Sequence, residues 1–154
     1  MRVNAGDEAP DFSLPIDGGG ELALSSLRGR SVVLYFYPKD DTSGCTKEAI
    51  GFRDALADFE RAGATVIGVS KDSATKHDKF KAKYELNFPL VADEECTACD
   101  AYGVWIEKSM YGRKYMGIER STFLIGADGK IANAWRKVKV PGHVEEVLEA
   151  AKVL

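Results

Sequence analysis

Apolar positions along this 154-residue chain fall into short unbroken runs that alternate with stretches spaced by threes and fours. Val32-Val33-Leu34-Tyr35-Phe36-Tyr37 and Thr65-Val66-Ile67-Gly68-Val69-Ser70 have strand length and are rich in β-branched and aromatic residues, which predicts buried strands. Between them, Ala49, Phe52, Leu56 and Phe59 recur on one face of a helix, and Gly63 is a suitable stop. Ser73 can cap a second helix that turns Phe80 and Tyr84 inward. Phe88 to Val91 reads as another strand, and Asp93 as the cap of a short helix ending near Gly103. Residues 121–126 and 130–136 flank Ala127-Asp128-Gly129-Lys130, a hairpin turn. A last helix from His143 to Leu154 carries Val144, Val147, Leu148 and Ala151 on one side. At the front, residues 12–27 predict a small hairpin about Asp17-Gly18-Gly19-Gly20. Strands alternating with helices predict an α/β domain.

Composition leaves that picture in place and narrows the function. At 45% apolar and 29% charged residues the chain is an ordinary globular one, read as a single domain over residues 1–154. A net charge of −3 with no basic block argues against nucleic acid as a partner. No apolar run approaches a membrane span, and the start of the chain turns polar at once, so a cytoplasmic protein is expected. Three cysteines do not make a secreted disulfide framework.

The chemistry concentrates in Pro38-Lys39-Asp40-Asp41-Thr42-Ser43-Gly44-Cys45-Thr46-Lys47-Glu48, which links the first strand to the first helix. Cys45 then lies in the first helical turn, where unpaired N–H groups and the helix dipole favour an anion. Its polar, turn-forming neighbours predict a reachable thiol. Thr42, three residues upstream, can bring a hydroxyl near the sulfur, and Pro38 stiffens the start of the loop. A lone cysteine is more often a small buried hydrophobe than a nucleophile. The surrounding string changes that balance, because Pro-x-x-x-Thr-x-x-Cys resembles the active-site signature of the peroxiredoxins. Tyr35-Phe36-Tyr37-Pro38 through Glu48 is similar to their bacterioferritin-comigratory, or PrxQ, branch. Further similar stretches follow in order: Gly6 to Leu14, Phe88 to Asp93, Ala101 to Trp105 and Glu119 to Ile125.

The resemblance implies a thioredoxin-like fold, a central mixed sheet flanked by helices, here with an N-terminal hairpin extension. It implies a thiol-dependent peroxidase of hydrogen peroxide and organic hydroperoxides; no haem, flavin or metal motif appears in the chain, so no cofactor and no metal are expected. Cys45 would pass through a sulfenic acid, and Thr42, the loop N–H groups and Arg120 would hold the peroxide oxygens. Glu48 is either the residue that orients Arg120 or a helix-surface carboxylate. Thiol ionisation alone cannot explain such an enzyme. An ordinary thiol of pKa about 8.5 is roughly 3% thiolate at pH 7, and lowering it to about 6 gains about 30-fold. The weaker nucleophile that results loses roughly 10- to 20-fold, leaving a net gain of only about two- to three-fold. Stabilising the departing oxygen must supply the rest.

A sulfenic acid must then be reduced. Relatives place a resolving cysteine five residues after the nucleophile, where this chain has Ile50, or in the next helix, where it has none. Cys96 and Cys99 remain, with three readings. One of them, Cys96 preferred as the more exposed, resolves Cys45 within the chain after local unfolding; the two relay electrons as a pair; or both are bystanders in a one-cysteine enzyme. A thioredoxin-like dithiol protein is the expected reductant, and a monomer the expected state. Zinc fails on ligand count, since only His77 and His143 are available and both read as surface residues. Trp105, Trp135 and the tyrosines read as core and hairpin packing. A disulfide reductase would need a cysteine where Thr42 stands. A non-enzymatic thioredoxin-fold chaperone or binding module would have no need of Thr42, Cys45 and Arg120 together.

Overall fold

The computed structural model describes residues 3–154. The predicted front hairpin is β1 (Ser13–Pro15) against β2 (Glu21–Ala23), followed by one 3-10 turn, Leu24–Leu27. β3 (Ser31–Phe36) leads into α1 (Ser43–Arg61), and β4 (Ala64–Ser70) into α2 (Ala74–Tyr84). β5 (Leu90–Ala92) precedes the short α3 (Thr97–Ala101). A second hairpin, β6 (Trp105–Met110) with β7 (Arg113–Ile118), comes next, then β8 (Ser121–Ile125), β9 (Ile131–Trp135) and α4 (His143–Lys152).

The main sheet has the order β5-β4-β3-β8-β9. β3 runs parallel to β4, β4 parallel to β5, and β8 antiparallel to both β3 and β9. This is the mixed sheet that the resemblance implies. Because successive side chains of a strand alternate in direction, β3 serves two cores. Val33, Tyr35 and Tyr37 face Phe52 and Phe59 of α1 and Val144 and Val147 of α4. Val32, Leu34 and Phe36 face Phe12, Leu24, Cys99, Tyr102 and Val104. The front hairpin extends the β5 edge, where Asp17 donates its N–H to the Leu90 carbonyl (3.1 Å) and accepts the Leu90 N–H (2.8 Å).

Local signals explain the helix limits. Ser73 accepts the Lys76 N–H at 3.2 Å as a cap. Gly63, at φ +78, follows the end of α1 in the left-handed conformation glycine favours. Asp93 stands ahead of α3 and accepts the Cys99 N–H at 2.8 Å.

Three expectations need correction. His77 and His143 are buried, not on the surface. Each is held by hydrogen bonds that offset the cost of burying an imidazole, His77 by Asp40 and the Val91 carbonyl, His143 by Thr122. The tyrosines are not all packed: Tyr111 is 99% exposed and Tyr115 43% exposed, both on the second hairpin. That hairpin has no sign in the apolar pattern of the sequence. Its turn, Tyr111-Gly112, has positive φ at both residues, 53° and 77°.

Candidate active site

The registers of the sheet decide which residues meet. Phe36 at the end of β3 pairs with Ser121 at the start of β8, so Arg120 stands at the mouth of the loop that carries Cys45. In that loop Asp41 takes a left-handed conformation (φ 60°), and Thr42 is the extended N-cap residue of α1. The first helical bond, Thr46 N–H to Thr42 carbonyl, is 2.8 Å. Cys45 is therefore in the first turn, as the sequence predicts, and the N–H groups near it have no carbonyl in the helix to bond.

The thiol is not open to solvent, however. Cys45 is 1% exposed although the loop before it is polar, because its side chain turns back into the core shared by Tyr35, Ala49 and Phe52. Arg120 covers it. Nη2 of Arg120 donates to Cys45 Sγ at 3.2 Å, and Nη1 donates to Glu48 Oε1 at 2.6 Å. Gly44 permits this approach, since a side chain there would place its Cβ 3.2 Å from Nη2. Of the two readings of Glu48, the structure gives the orienting one: the residue is fully buried and paired with Arg120. Burial pushes its carboxyl up to about 7, against the opposing pull of Arg120. Burial works to lower the Arg120 pKa, but Glu48 and Cys45 outweigh it and hold the guanidinium above its ordinary range. The cation is thus permanent, and its planar fork is fixed by one acid while it serves the sulfur.

Thr42 lies at the same place but is not bonded to the thiol. Its hydroxyl donates to the Lys39 carbonyl at 2.8 Å, so toward a ligand it acts as an acceptor. Pro38 is half-buried at the start of the loop. The rest of the loop is held by the Tyr37 hydroxyl, which donates to Asp40 at 2.6 Å, by Asp72, which accepts the Asp40 N–H at 2.7 Å, and by α2. His77 Nδ1 meets Asp40 at 2.6 Å, while Lys83 and the Tyr84 hydroxyl meet Asp41 at 2.8 and 2.6 Å. These anchors carry no motif signal; only the acidic pair Asp40-Asp41 beside a helix with His, Lys and Tyr at suitable intervals hints at them.

Cys96 and Cys99 are elsewhere. Both belong to the core on the opposite face of the sheet from Cys45. Cys96 is the more exposed, as expected, but only at 7% against 0% for Cys99. Burial raises both thiols above the ordinary range, and Asp93 beside Cys99 raises that one further. The three cysteines are free thiols. Among the described residues no cluster suits a metal ion, and no helix is long and apolar enough to cross a membrane.

The chain is similar to known proteins in sequence and in fold. The AhpC/TSA family profile matches residues 5–134. The chain is 53% identical over 148 residues to a putative peroxiredoxin bcp of Coxiella burnetii, covering 96% of this chain and 98% of that one. A solved structure of Xanthomonas campestris peroxiredoxin Q superposes with a TM-score of 0.92 at 46% identity, covering 98% of each chain. Another, of the Xanthomonas campestris bacterioferritin comigratory protein and concerned with its alkyl peroxide reduction activity, gives 0.92 at 46% identity over 97% of this chain and 98% of that one.

Proposed function

The chain belongs to the AhpC/TSA family, as a thiol peroxidase of the peroxiredoxin type, and from that premise we propose that Cys45 is the residue that attacks the peroxide. The observation that carries the assignment is the chain of contacts Glu48–Arg120–Cys45, a buried acid fixing a cation 3.2 Å from the sulfur. The thiolate displaces an alkoxide or hydroxide from the peroxide and becomes a sulfenic acid. Charge leaves sulfur and accumulates on the departing oxygen, so donors fixed at that oxygen lower the barrier. Arg120 and the N–H groups of the first α1 turn are those donors. Thr42 accepts the peroxide hydroxyl and so sets its direction, and Pro38 fixes the loop. Hydrogen peroxide and organic hydroperoxides both fit a site that grips only the O–O group. Alkyl peroxide reduction by the Xanthomonas relative supports the second class.

For recycling, we propose reduction by a thioredoxin-like dithiol protein, with the chain acting as a cytoplasmic monomer. Resolution within the chain by Cys96 or Cys99 calls for a local opening around Cys45, since a disulfide needs Cα atoms within about 7 Å and the two thiols belong to the core on the other face of the sheet. The alternative is a one-cysteine cycle, in which external thiols reduce Cys45 directly. The specific observation in its favour is that Cys96 and Cys99 are buried in the other core with raised thiol pKa values. The test of the main assignment is Cys45→Ser. It should fold normally and consume no peroxide in the presence of dithiothreitol; normal consumption would overturn it.

A further inference from the structure

The departing oxygen raises a question that the Glu48–Arg120–Cys45 chain leaves open. An alkoxide needs a proton, because its conjugate acid is nearly as weak as water, of pKa about 15.7. Arg120 cannot give one up, since guanidinium stays protonated in proteins. Glu48 is fully buried and committed to Arg120. A donor on another element would leave that pair intact.

The second hairpin supplies a candidate. Lys108 on β6 pairs with Tyr115, and Ile106, two residues earlier on the same strand, with Gly117, so Lys108 and Gly117 lie diagonally across the ladder. The lysine stem passes over that glycine: a Cβ on Gly117 would stand 3.3 Å from Lys108 Cδ and 3.6 Å from Cε. The stem thus runs toward the hairpin base, where β7 ends at Ile118 and Arg120 follows two residues later. Glu119 N–H bonds the Val104 carbonyl at 2.8 Å and pins that base. Lys108 is half-buried, whereas Glu107 and Ser109 on either side are exposed. Among the described residues it makes no ion pair, in contrast to Lys114 on the same hairpin, which meets Glu107. The charges that act on it are those of the site, Arg120 and Cys45, together with Glu119.

We propose that Lys108 is a further catalytic residue, the acid that protonates the departing oxygen. As the Cys45 Sγ–O bond forms and the O–O bond breaks, sulfur is oxidised from thiolate to sulfenic acid and the peroxide is reduced. The alkoxide takes a proton from Lys108 Nζ and leaves as the alcohol. The neutral amine recovers a proton when the next Cys45 thiol ionises after reduction. Burial, and then the Arg120 charge, hold the Lys108 ammonium below the ordinary lysine range, which makes it a better acid.

This role rests on Cys45 as the nucleophile, and the experiment separates the two. Oxidation of Cys45 is followed in single turnover by rapid quench with dimedone, comparing tert-butyl hydroperoxide with peroxyacetic acid. The first releases an alkoxide; the second releases a carboxylate, which needs no proton. Lys108→Met, which keeps the apolar stem, should slow the alkyl hydroperoxide about 100-fold, the scale of lost general acid catalysis, and leave peroxyacetic acid within about three-fold. Lys108→Arg keeps the charge but cannot release a proton, and should behave as Lys108→Met does. Wild-type rates in Lys108→Met, equal losses with both oxidants, or rescue by arginine would each overturn the role. Failure of the nucleophile assignment shows separately, as peroxide consumption by Cys45→Ser.

Discussion

Arg120 is the residue on which the chemistry of Cys45 depends most. Ionising a thiol more fully gains only about two- to three-fold once the loss of nucleophilicity is counted. Losing a fixed donor to a developing oxyanion costs about 100- to 1,000-fold. Arg120→Ala is therefore expected to slow peroxide reduction by at least about 100-fold at a pH where the thiol is fully ionised. Stopped-flow rates across pH test this, and a loss that disappears once the thiol is ionised would reduce Arg120 to a pKa-setting group. The sequence marks Cys45, Thr42 and Arg120 through one motif and one later landmark. It leaves Glu48 open, because the pairing bridges 72 positions and depends on the register of β3 with β8. Polar neighbours mislead about the exposure of Cys45: the loop is exposed, but the third residue of the helix points inward.

Among elements, α2 is the one whose role differs most from a plain covering helix. Three of its side chains, His77, Lys83 and Tyr84, hold the two acids that precede Thr42. The His77 contacts fix its protonation: Nε2 faces a carbonyl, Nδ1 a carboxylate, and both acceptors call for an N–H. Burial lowers the His77 pKa, but the hydrogen bond and charge of Asp40 outweigh it, so the net shift is upward. A group raised in the fold contributes stability that is complete below its unfolded pKa, about 6.5, and is lost as pH rises through the folded value. Wild type should accordingly exceed His77→Gln in stability most at about pH 5.5, with the gap narrowing above the folded pKa. Urea unfolding at several pH values measures this; a gap that widens with pH would show a neutral His77. Strand and helix runs were legible here because long periodic segments bury one face. The β6–β7 hairpin was not, because Tyr111-Gly112 lacks the usual Asn-Gly or Asp-Gly sign and most of its residues face solvent, which removes the alternation.

For the whole molecule, the sheet separates two sulfur chemistries. Cys45 occupies the core beneath α1 and α4, and Cys96 and Cys99 the core beneath the front hairpin and α3. The fold class is readable because strand and helix runs alternate in order, but neither core can be assigned to a cysteine without the alternation of β3. This separation predicts that peroxide oxidises Cys45 first and alone, and that any later disulfide awaits local opening. The most direct test treats the reduced protein with one equivalent of hydrogen peroxide, quenches within a fraction of a second into dimedone, and maps the labelled peptides by mass. The adduct is expected on Cys45, with Cys96 and Cys99 still free thiols. An adduct on Cys96 or Cys99 with Cys45 unmodified would contradict Cys45 as the residue that meets peroxide first.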